Sequence, residues 1–299
     1  MVLVFYETFI EFGLELAIEK TEVMMQKATK DEERESPKIC INENLLKVSH
    51  KFKYLGCQLQ DDATNSAEIA WRISQSTAAF SKLYQRVWKK RHISLKTKIK
   101  TYRAIIIPCM IYGSEAWNCS KRELQKLNGL QYRQLRTILG KKWSDKISRS
   151  HVELLHSIKF ERNENFEWAL SDEDKSKDQN LPAMETLIRL NRLRYFGHVL
   201  RMDDSRLPKI VINSEVNAGK RARGCPKKNY RACIKEDLKL FGMWEHYPDL
   251  VITASERSLW RRKIHQGAIV FQKKWEEDRI AQSVTRKMKQ NNLNNTIAC

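Results

Sequence analysis

The stretch that most constrains the fold of this chain is Lys51–Leu59, which reads KFKYLGCQL. Apolar and polar residues alternate in it before Gly56, a pattern that predicts a β-strand turning sharply at the glycine. The chain before it is acidic and strand-like, whereas the chain after it is basic and has helical periodicity. We therefore predict that this strand separates two structurally different regions.

The region before this strand carries several strand signals. A run of aliphatic and aromatic residues predicts a strand at 2–6, and alternation of apolar and polar residues predicts another at 14–19. Between them, 7–12 is expected to be the end of a helix. Apolar runs on both sides of a turn-prone Asn-Glu-Asn sequence predict a β-hairpin over 39–48.

The region after this strand has apolar residues at helical spacing. Capping sequences and apolar stripes predict three amphipathic helices, at 66–90, 94–107 and 120–139, and Pro108 is expected to end or kink the second. Further helices are predicted at 150–158, 184–202, 230–240 and 253–280. The polar segment 171–180, followed by Leu181-Pro182, is the best candidate for a linker.

The charge of the chain is large and unevenly distributed. Lys and Arg number 55 against 36 Asp and Glu, which gives a formal net charge of +19. Residues 1–37 hold four basic and nine acidic side chains, whereas 38–170 hold 25 and 11. This surplus favours an anionic partner, of which nucleic acid is the usual one and a membrane surface the second option. No apolar run approaches the length of a membrane span. We expect nucleic acid as the partner and no membrane.

The cysteines indicate a reducing compartment. Seven of them are scattered without a Cys-x-x-Cys pair or a regular disulfide spacing. The first residues lack the basic segment of a signal peptide. We therefore expect an intracellular protein, nuclear or cytoplasmic or both.

The order of five segments carries a resemblance to a known family. FGLELAIEKTEVM, KFKYLGCQL, a long basic helix, IYGSEAW and RLRYFGHVLRM follow one another along nearly the whole chain. This order resembles the C-terminal half of a reverse transcriptase, an RNA-directed DNA polymerase, from a non-LTR (LINE-type) retrotransposon. The resemblance implies the end of the palm, the primer grip, the thumb and the C-terminal region of such an enzyme.

Each family motif maps onto particular residues of this chain. The strand that closes the palm matches Gly13-Leu14 and Lys20-Thr21. The primer-grip motif matches Phe52, Tyr54, Leu55 and Gly56. The thumb signature matches Tyr112, Gly113, Glu115 and Trp117, and the C-terminal Gly-His-x-x-Arg-Met segment matches Gly197, His198, Arg201 and Met202.

The catalytic motif of the family is absent from the 299 residues. In the family, a Tyr-x-Asp-Asp sequence and a further Asp hold two Mg²⁺ ions, so Mg²⁺ is expected only for an intact parent enzyme and this chain is expected to bind no cofactor. Asp61-Asp62 follows the primer-grip strand and is better explained as the start of a helix. Lys20 matches the lysine implied as general acid, but without the carboxylates a solvated lysine is the better interpretation.

The candidate binding residues are basic or belong to the primer grip. Helix 66–90 and the run after it are expected to face a template–primer duplex, although a solvated helix face is the alternative. A second basic cluster lies in a loop rich in Gly and Pro, for which nuclear import is a competing interpretation. The candidates for nucleic-acid binding are Phe52, Tyr54, Leu55, Gly56, Arg72, Arg86, Lys89, Lys90, Arg91, Lys96, Lys100, Lys220, Arg221, Arg223, Lys227 and Lys228.

These observations predict a mainly α fold with a small N-terminal β remnant. The expected parts are a palm remnant with a primer-grip-like hairpin at 1–60, a helical thumb-like domain at 61–170, a linker at 171–182, a basic helical C-terminal region at 183–282 and a flexible tail at 283–299. We expect a truncated polymerase fragment that binds RNA or RNA–DNA duplex, does not polymerise alone, and takes no metal and no small-molecule substrate. The alternative is a host-captured or non-functional helical fragment that acts as a protein-interaction module.

Overall fold

The computed structural model divides the chain into two compact units, Met1–Trp71 and Arg72–Cys299. The residues that it describes are 2–25, 38–41, 44–140, 181–214, 229–244 and 246–297. Within these ranges the prediction of a mainly helical chain with short strands near the N-terminus is confirmed. None of the helices described is long and apolar enough to cross a bilayer. The helix predicted at 150–158 lies outside the described residues.

The N-terminal unit begins with helix α1 (Val2–Glu11), so the strand predicted at 2–6 is wrong. Gly13 lies just after the helix, has a φ of 69° and donates its amide to the Ile10 carbonyl in the last turn. A helix satisfies its own backbone groups, whereas a strand needs a neighbour, and no described strand pairs with this segment. The strand predicted at 14–19 is also wrong, because that stretch contains only the 3₁₀ turn Ile18–Lys20.

The described strands in the rest of the N-terminal unit form separate two-stranded sheets. Strand β1 (Glu22–Val23) pairs in parallel with β4 (Lys47–Val48). Strand β2 (Cys40–Ile41) pairs antiparallel with β3 (Asn44–Leu45), which confirms the inner part of the hairpin predicted over 39–48. The outer residues Lys47–Val48 pair with β1 and not within the hairpin. These pairings are too short to form a continuous sheet.

The stretch Lys51–Leu59 forms most of a hairpin and not one strand. Strand β5 (Lys51–Tyr54) pairs antiparallel with β6 (Cys57–Gln60), and the turn predicted at Gly56 is confirmed. Leu55 and Gly56 have φ values of 47° and 84°, the two positive values that a tight two-residue hairpin turn requires. Glycine adopts this conformation without strain, whereas leucine does so at a cost.

The second unit, Arg72–Cys299, is here called the helical unit. Its helix type changes after α2 (Ser66–Lys82). The helix predicted over 66–90 ends at Lys82, and a π-helical turn follows at Tyr84–Trp88. In this turn the Trp88 indole nitrogen donates to the Phe80 carbonyl at 2.8 Å, so the wider turn lets the tryptophan bond back onto α2.

A second π-helical turn accommodates Pro108. Helix α3 (Leu95–Thr101) leads into the π-helical turn Tyr102–Ile106 and then into α4 (Ile107–Ile111). Proline lacks an amide hydrogen and clashes with the carbonyl four residues earlier. The π-helical turn before it relieves this conflict, so the proline distorts the helical path and does not end it.

Helix α5 (Lys121–Ile138) has both of its predicted ends. Ser120 and Glu123 form a reciprocal capping box at the N-terminus, in which each side chain accepts from the other's backbone amide. Gly140 follows the helix with a φ of 66°. Local sequence was sufficient to place this element.

Helix α6 (Met184–Leu200) is the centre of the C-terminal core. The helices described after it are α7 (Leu207–Asn213), α8 (Tyr230–Leu240), α9 (Tyr247–Ser255) and α10 (Arg257–Ile297). Helix α6 contacts α5, α8, α9 and α10, and most of its residues are buried.

The single helix predicted at 253–280 is wrong, because the chain breaks between α9 and α10 at Glu256. Groups outside the local sequence stabilise this break. The Arg201 guanidinium donates to the Ala254 carbonyl at 2.9 Å, which satisfies a carbonyl at the end of α9. Helix α10 also continues through 283–297, within the segment 283–299 predicted to be a flexible tail.

Candidate nucleic-acid interface

Four exposed cations form a compact group in the helical unit. Arg86, Lys89, Lys90 and Arg91 lie in and directly after the first π-helical turn, and we name them the basic corner. All four are exposed, and none forms an ion pair with a described acidic residue. Like charges crowded without carboxylates attract a polyanion.

Trp88 anchors the basic corner from inside. Its buried ring stacks on Phe80 with centroids 5.0 Å apart, and Phe80 in turn meets the edge of Tyr102. Lys98 donates its ammonium to the Trp88 carbonyl at 2.9 Å. The backbone that carries the cations is therefore held on both sides.

A polar chain connects this aromatic cluster with α5. The Tyr102 hydroxyl donates to the Gln134 side chain at 2.9 Å, and Gln134 donates to the Ser76 hydroxyl at 3.3 Å. Burial raises the pKa of Tyr102, so its hydroxyl stays protonated and available as a donor.

Two further predicted residues, Lys96 and Lys100, lie in helix α3, which follows the basic corner in sequence. Ser94 caps the helix by accepting from the Thr97 amide. Lys100 is exposed and Lys96 is half-buried. The predicted set Arg86 to Lys100 thus lies along one turn and the helix after it.

Arg72 lies in the interior, in contrast to the other predicted cations. Only 8% of its surface is exposed, and its guanidinium stacks over the Tyr112 ring at 4.6 Å. A guanidinium placed in this way has little surface to offer a phosphate. We therefore leave Arg72 out of the candidate interface.

The primer-grip residues lie at the turn of the β5–β6 hairpin in the N-terminal unit. Tyr54 and Leu55 are 56% and 76% exposed, whereas Phe52 and Gly56 are half-buried. Exposed apolar side chains on a tight turn can contact a ligand. The strained φ of Leu55 is the kind of local cost that persists at functional sites.

The remaining predicted residues are dispersed or outside the described chain. Lys20 is exposed at the end of its 3₁₀ turn. The described residues contain no group of three or more His, Cys, Asp or Glu side chains arranged to hold a metal. The second basic cluster, Lys220, Arg221, Arg223, Lys227 and Lys228, lies outside the described residues.

The Tyr-Gly-x-Glu-x-Trp segment serves as a joint between helices. Gly113 has a φ of 74° and starts a 3₁₀ turn. The Glu115 carbonyl accepts from the Tyr230 hydroxyl at 2.8 Å, and the buried Trp117 offers its carbonyl to Arg192 at 2.8 Å. This motif therefore connects to α6 and α8, while Tyr112, whose ring lies under the Arg72 guanidinium, is 51% exposed.

A buried ion cluster lies beneath this joint, and sequence reasoning missed it. Asp237 is fully buried and accepts from Arg189 and from Arg192, the latter through two bonds of 2.7 and 3.0 Å. Glu185 accepts from Arg189 at 2.8 Å. Burial is the largest single influence and by itself would lower the pKa of both arginines. The Asp237 carboxylate, joined at Arg189 by Glu185, more than offsets it and raises both pKa values.

A signal for this cluster exists in the sequence but is weak. Arg189 and Arg192 are spaced so that they share one face of α6, among residues that are otherwise apolar there. Such spacing also occurs on solvated helices, so only the packed structure distinguishes the two. The cluster is structural, because its charges are paired and out of reach of solvent.

The Gly-His-x-x-Arg-Met segment combines packing with one exposed side chain. A Cβ atom at Gly197 would lie 2.1 Å from the Trp260 indole nitrogen, so only glycine lets this tryptophan approach α6. The same indole nitrogen donates to the Leu193 carbonyl at 3.0 Å. Arg201 serves the end of α9, and His198 is exposed.

Similarity to known proteins agrees in part with the motif order. Over 111 residues the chain is 30% identical to the RNA-directed DNA polymerase from mobile element jockey of Drosophila funebris. It is 32% identical, again over 111 residues, to the polymerase of the same description from Drosophila melanogaster. The matches cover 37% and 36% of this chain, and only 12% of each relative.

These matches support a relationship to the RNA-directed DNA polymerases of mobile elements. The chain spans a small part of the curated relatives it matches, so their activity is not transferred to it by similarity alone. No protein-family model matches the chain, and no solved structure matches it.

Proposed function

We propose that this chain binds RNA–DNA or RNA duplex as the thumb-like and C-terminal part of a mobile-element RNA-directed DNA polymerase. The observation that carries the proposal is the basic corner, four exposed cations on a turn that Trp88 holds rigidly. Lys96 and Lys100 extend the positive surface. Contacts of this kind bind phosphates and carry little sequence information.

We also propose that the chain does not extend a primer by itself. The motivation is the absence of a Tyr-x-Asp-Asp sequence from the 299 residues, since those carboxylates hold the catalytic Mg²⁺ in the enzymes that the motif order resembles. Primer extension by the purified chain in Mg²⁺ would overturn this part of the proposal.

The binding experiment compares the chain with a variant that has no basic corner. Replacement of Arg86, Lys89, Lys90 and Arg91 by alanine should weaken RNA–DNA duplex binding. It should also reduce the slope of log affinity against log salt by about one for each cation that contacts a phosphate. Fluorescence anisotropy over a salt series measures both quantities.

A matched control removes four exposed cations elsewhere. The substitutions Arg262→Ala, Lys273→Ala, Lys274→Ala and Arg286→Ala in α10 change the net charge equally. Equal losses in both variants would reduce the effect to overall charge and contradict the proposed interface. Absence of duplex binding at low salt, with a protein partner retained, would favour the interaction module instead.

A further inference from the structure

The C-terminal part of the chain contains a cleft that the proposed duplex interface does not use. It has a volume of about 720 Å³ and lies between α7, α8 and the connection from α8 to α9. None of the basic-corner residues lines it. Its volume falls in the range of sites that hold small ligands or one end of a larger one.

An exposed tryptophan, Trp244, lines this cleft. It has 48% of its surface exposed, an unusual position for the largest apolar side chain. The ammonium groups of Lys235 and Lys239 lie over the indole, 4.8 and 5.7 Å from the ring centroid. The site therefore combines a half-exposed aromatic ring with two cations that lie over it.

The rest of the cleft has the same two properties. Its floor includes the buried apolar side chains of Phe196, Leu238 and Leu250. The charged side chains among the described lining residues are Arg231 and Lys235, both cationic, and none is a carboxylate. An apolar floor with a cationic rim fits a ligand that is flat and apolar at one end and anionic at the other.

We propose that this cleft binds an unpaired base of single-stranded nucleic acid. The base displaces the Lys235 and Lys239 ammonium groups from the Trp244 ring and stacks on it. The two flexible lysine side chains then contact the neighbouring phosphates. Stacking on an exposed aromatic ring beside cations is how proteins hold single strands without reading their sequence. A base in a duplex is already stacked on both faces, so the cleft selects unpaired strands, which the basic corner does not.

This inference goes beyond the proposed function, because it adds a separate site and a different ligand. The test uses the full chain and three probes: a short oligo(dT), an abasic strand of the same length, and an RNA–DNA duplex. The abasic strand keeps the phosphates and lacks the bases. It therefore separates stacking from charge attraction.

Replacement of Trp244 by alanine should weaken oligo(dT) binding about tenfold, as expected for the loss of one stacked base. Binding of the abasic strand and of the duplex should not change. Trp244→Phe should keep most of the affinity, because an aromatic face remains. Ile252→Ala, a substitution at another exposed apolar residue outside the cleft, is the control and should change nothing.

Two results would overturn the inference. One is an unchanged affinity of Trp244→Ala for oligo(dT). The other is an equal loss for oligo(dT) and the abasic strand, which would show that the indole supports the fold or the charges only. Circular dichroism of each variant checks folding.

A second variant keeps the test valid if Trp244→Ala does not fold. Charge reversal at Lys235 and Lys239 should weaken oligo(dT) and abasic-strand binding, whereas charge reversal at Lys273 and Lys274 should weaken both much less. Equal effects of the two reversals would contradict the cleft. The basic-corner variant should keep normal oligo(dT) binding at the cleft, so either proposal can fail alone.

Discussion

Arginine has opposite roles in two regions of the helical unit. In the basic corner, Arg86 and Arg91 are exposed and pair with no described carboxylate. In the ion cluster, Arg189 and Arg192 are buried and share the carboxylate of Asp237. All four arginines contribute equally to the net charge of the chain. Only the exposed pair in the basic corner can contact a phosphate. The comparison teaches that burial decides which part of a basic sequence can bind nucleic acid.

The largest effect that tests this contrast is expected from Asp237→Asn. The substitution keeps the shape of the side chain but leaves two buried guanidinium groups without their shared anion. We expect the free energy of unfolding to fall by about 3–5 kcal/mol, the usual cost of breaking a buried ion pair. Urea unfolding followed by circular dichroism measures it. Asp278→Asn, at an exposed position on α10, should cost less than about 0.5 kcal/mol.

A glycine pair measures how tightly α6, which carries both buried arginines, is packed. Gly197→Ala would place a methyl group against Trp260 and should lower the free energy of unfolding by about 1–3 kcal/mol. Gly129→Ala in α5 meets no atom within 4 Å and should raise it by about 0.5–1 kcal/mol, since alanine favours a helix. Equal signs in thermal or urea unfolding would mean that α6 can shift away from Trp260.

A half-buried arginine between these extremes provides a pH-dependent test. Arg194 can only donate, so His265 accepts its hydrogen bond at 3.1 Å through Nε2 and is neutral in that arrangement. Burial, with the charges of Arg194 and Arg261, lowers the pKa of His265 to about 4. The unfolded chain therefore binds more protons below the ordinary pKa of histidine, and stability falls as the pH drops from about 6.5 to 4.

The measurement is urea unfolding at several pH values in this window. His265→Gln should reduce the loss of stability between neutral and acidic pH. His198→Gln, at an exposed histidine on α6, should leave the loss unchanged. The same acid dependence in both variants would assign the effect to carboxylates and not to His265.

The smallest effect on stability is expected in the basic corner. Alanine at Arg86 or Arg91 should change the free energy of unfolding by less than about 0.5 kcal/mol, because these side chains are exposed and make no described ion pair. The same substitutions should weaken duplex binding, measured by anisotropy at low salt. A large loss of stability would place these cations with the buried arginines and remove the contrast.

Local sequence predicted most of the helices and failed where partners decide the outcome. The capping box at Ser120, the glycine after α5 and the turn at Gly56 are encoded within a few residues and were predicted. The strand predicted at 2–6 is a helix, because apolar composition suits both and no described strand pairs with it. The break before α10 depends on Arg201, which is distant in sequence.

The candidate sites divide in the same way. The run from Arg86 to Arg91 is visible as a string of basic letters, and the structure places it on the surface. Arg72 is also an arginine, but it is buried and its guanidinium lies over the Tyr112 ring. The Trp244 cleft has no local signal, because its residues come from separate helices that meet only after folding.

The sequence by itself determined the mainly helical class, the positive charge and the order of motifs that indicates a mobile-element polymerase. The helical class and the charge follow from periodicity and composition, which are properties of the chain read in order. The motif order indicates the polymerase only through its resemblance to a known family. Only the tertiary structure decided which cations are exposed, which are paired with Asp237, and that two lysines lie over the half-exposed ring of Trp244. Burial and long-range pairing set these outcomes, because desolvation of a charge depends on neighbours that the local sequence does not contain.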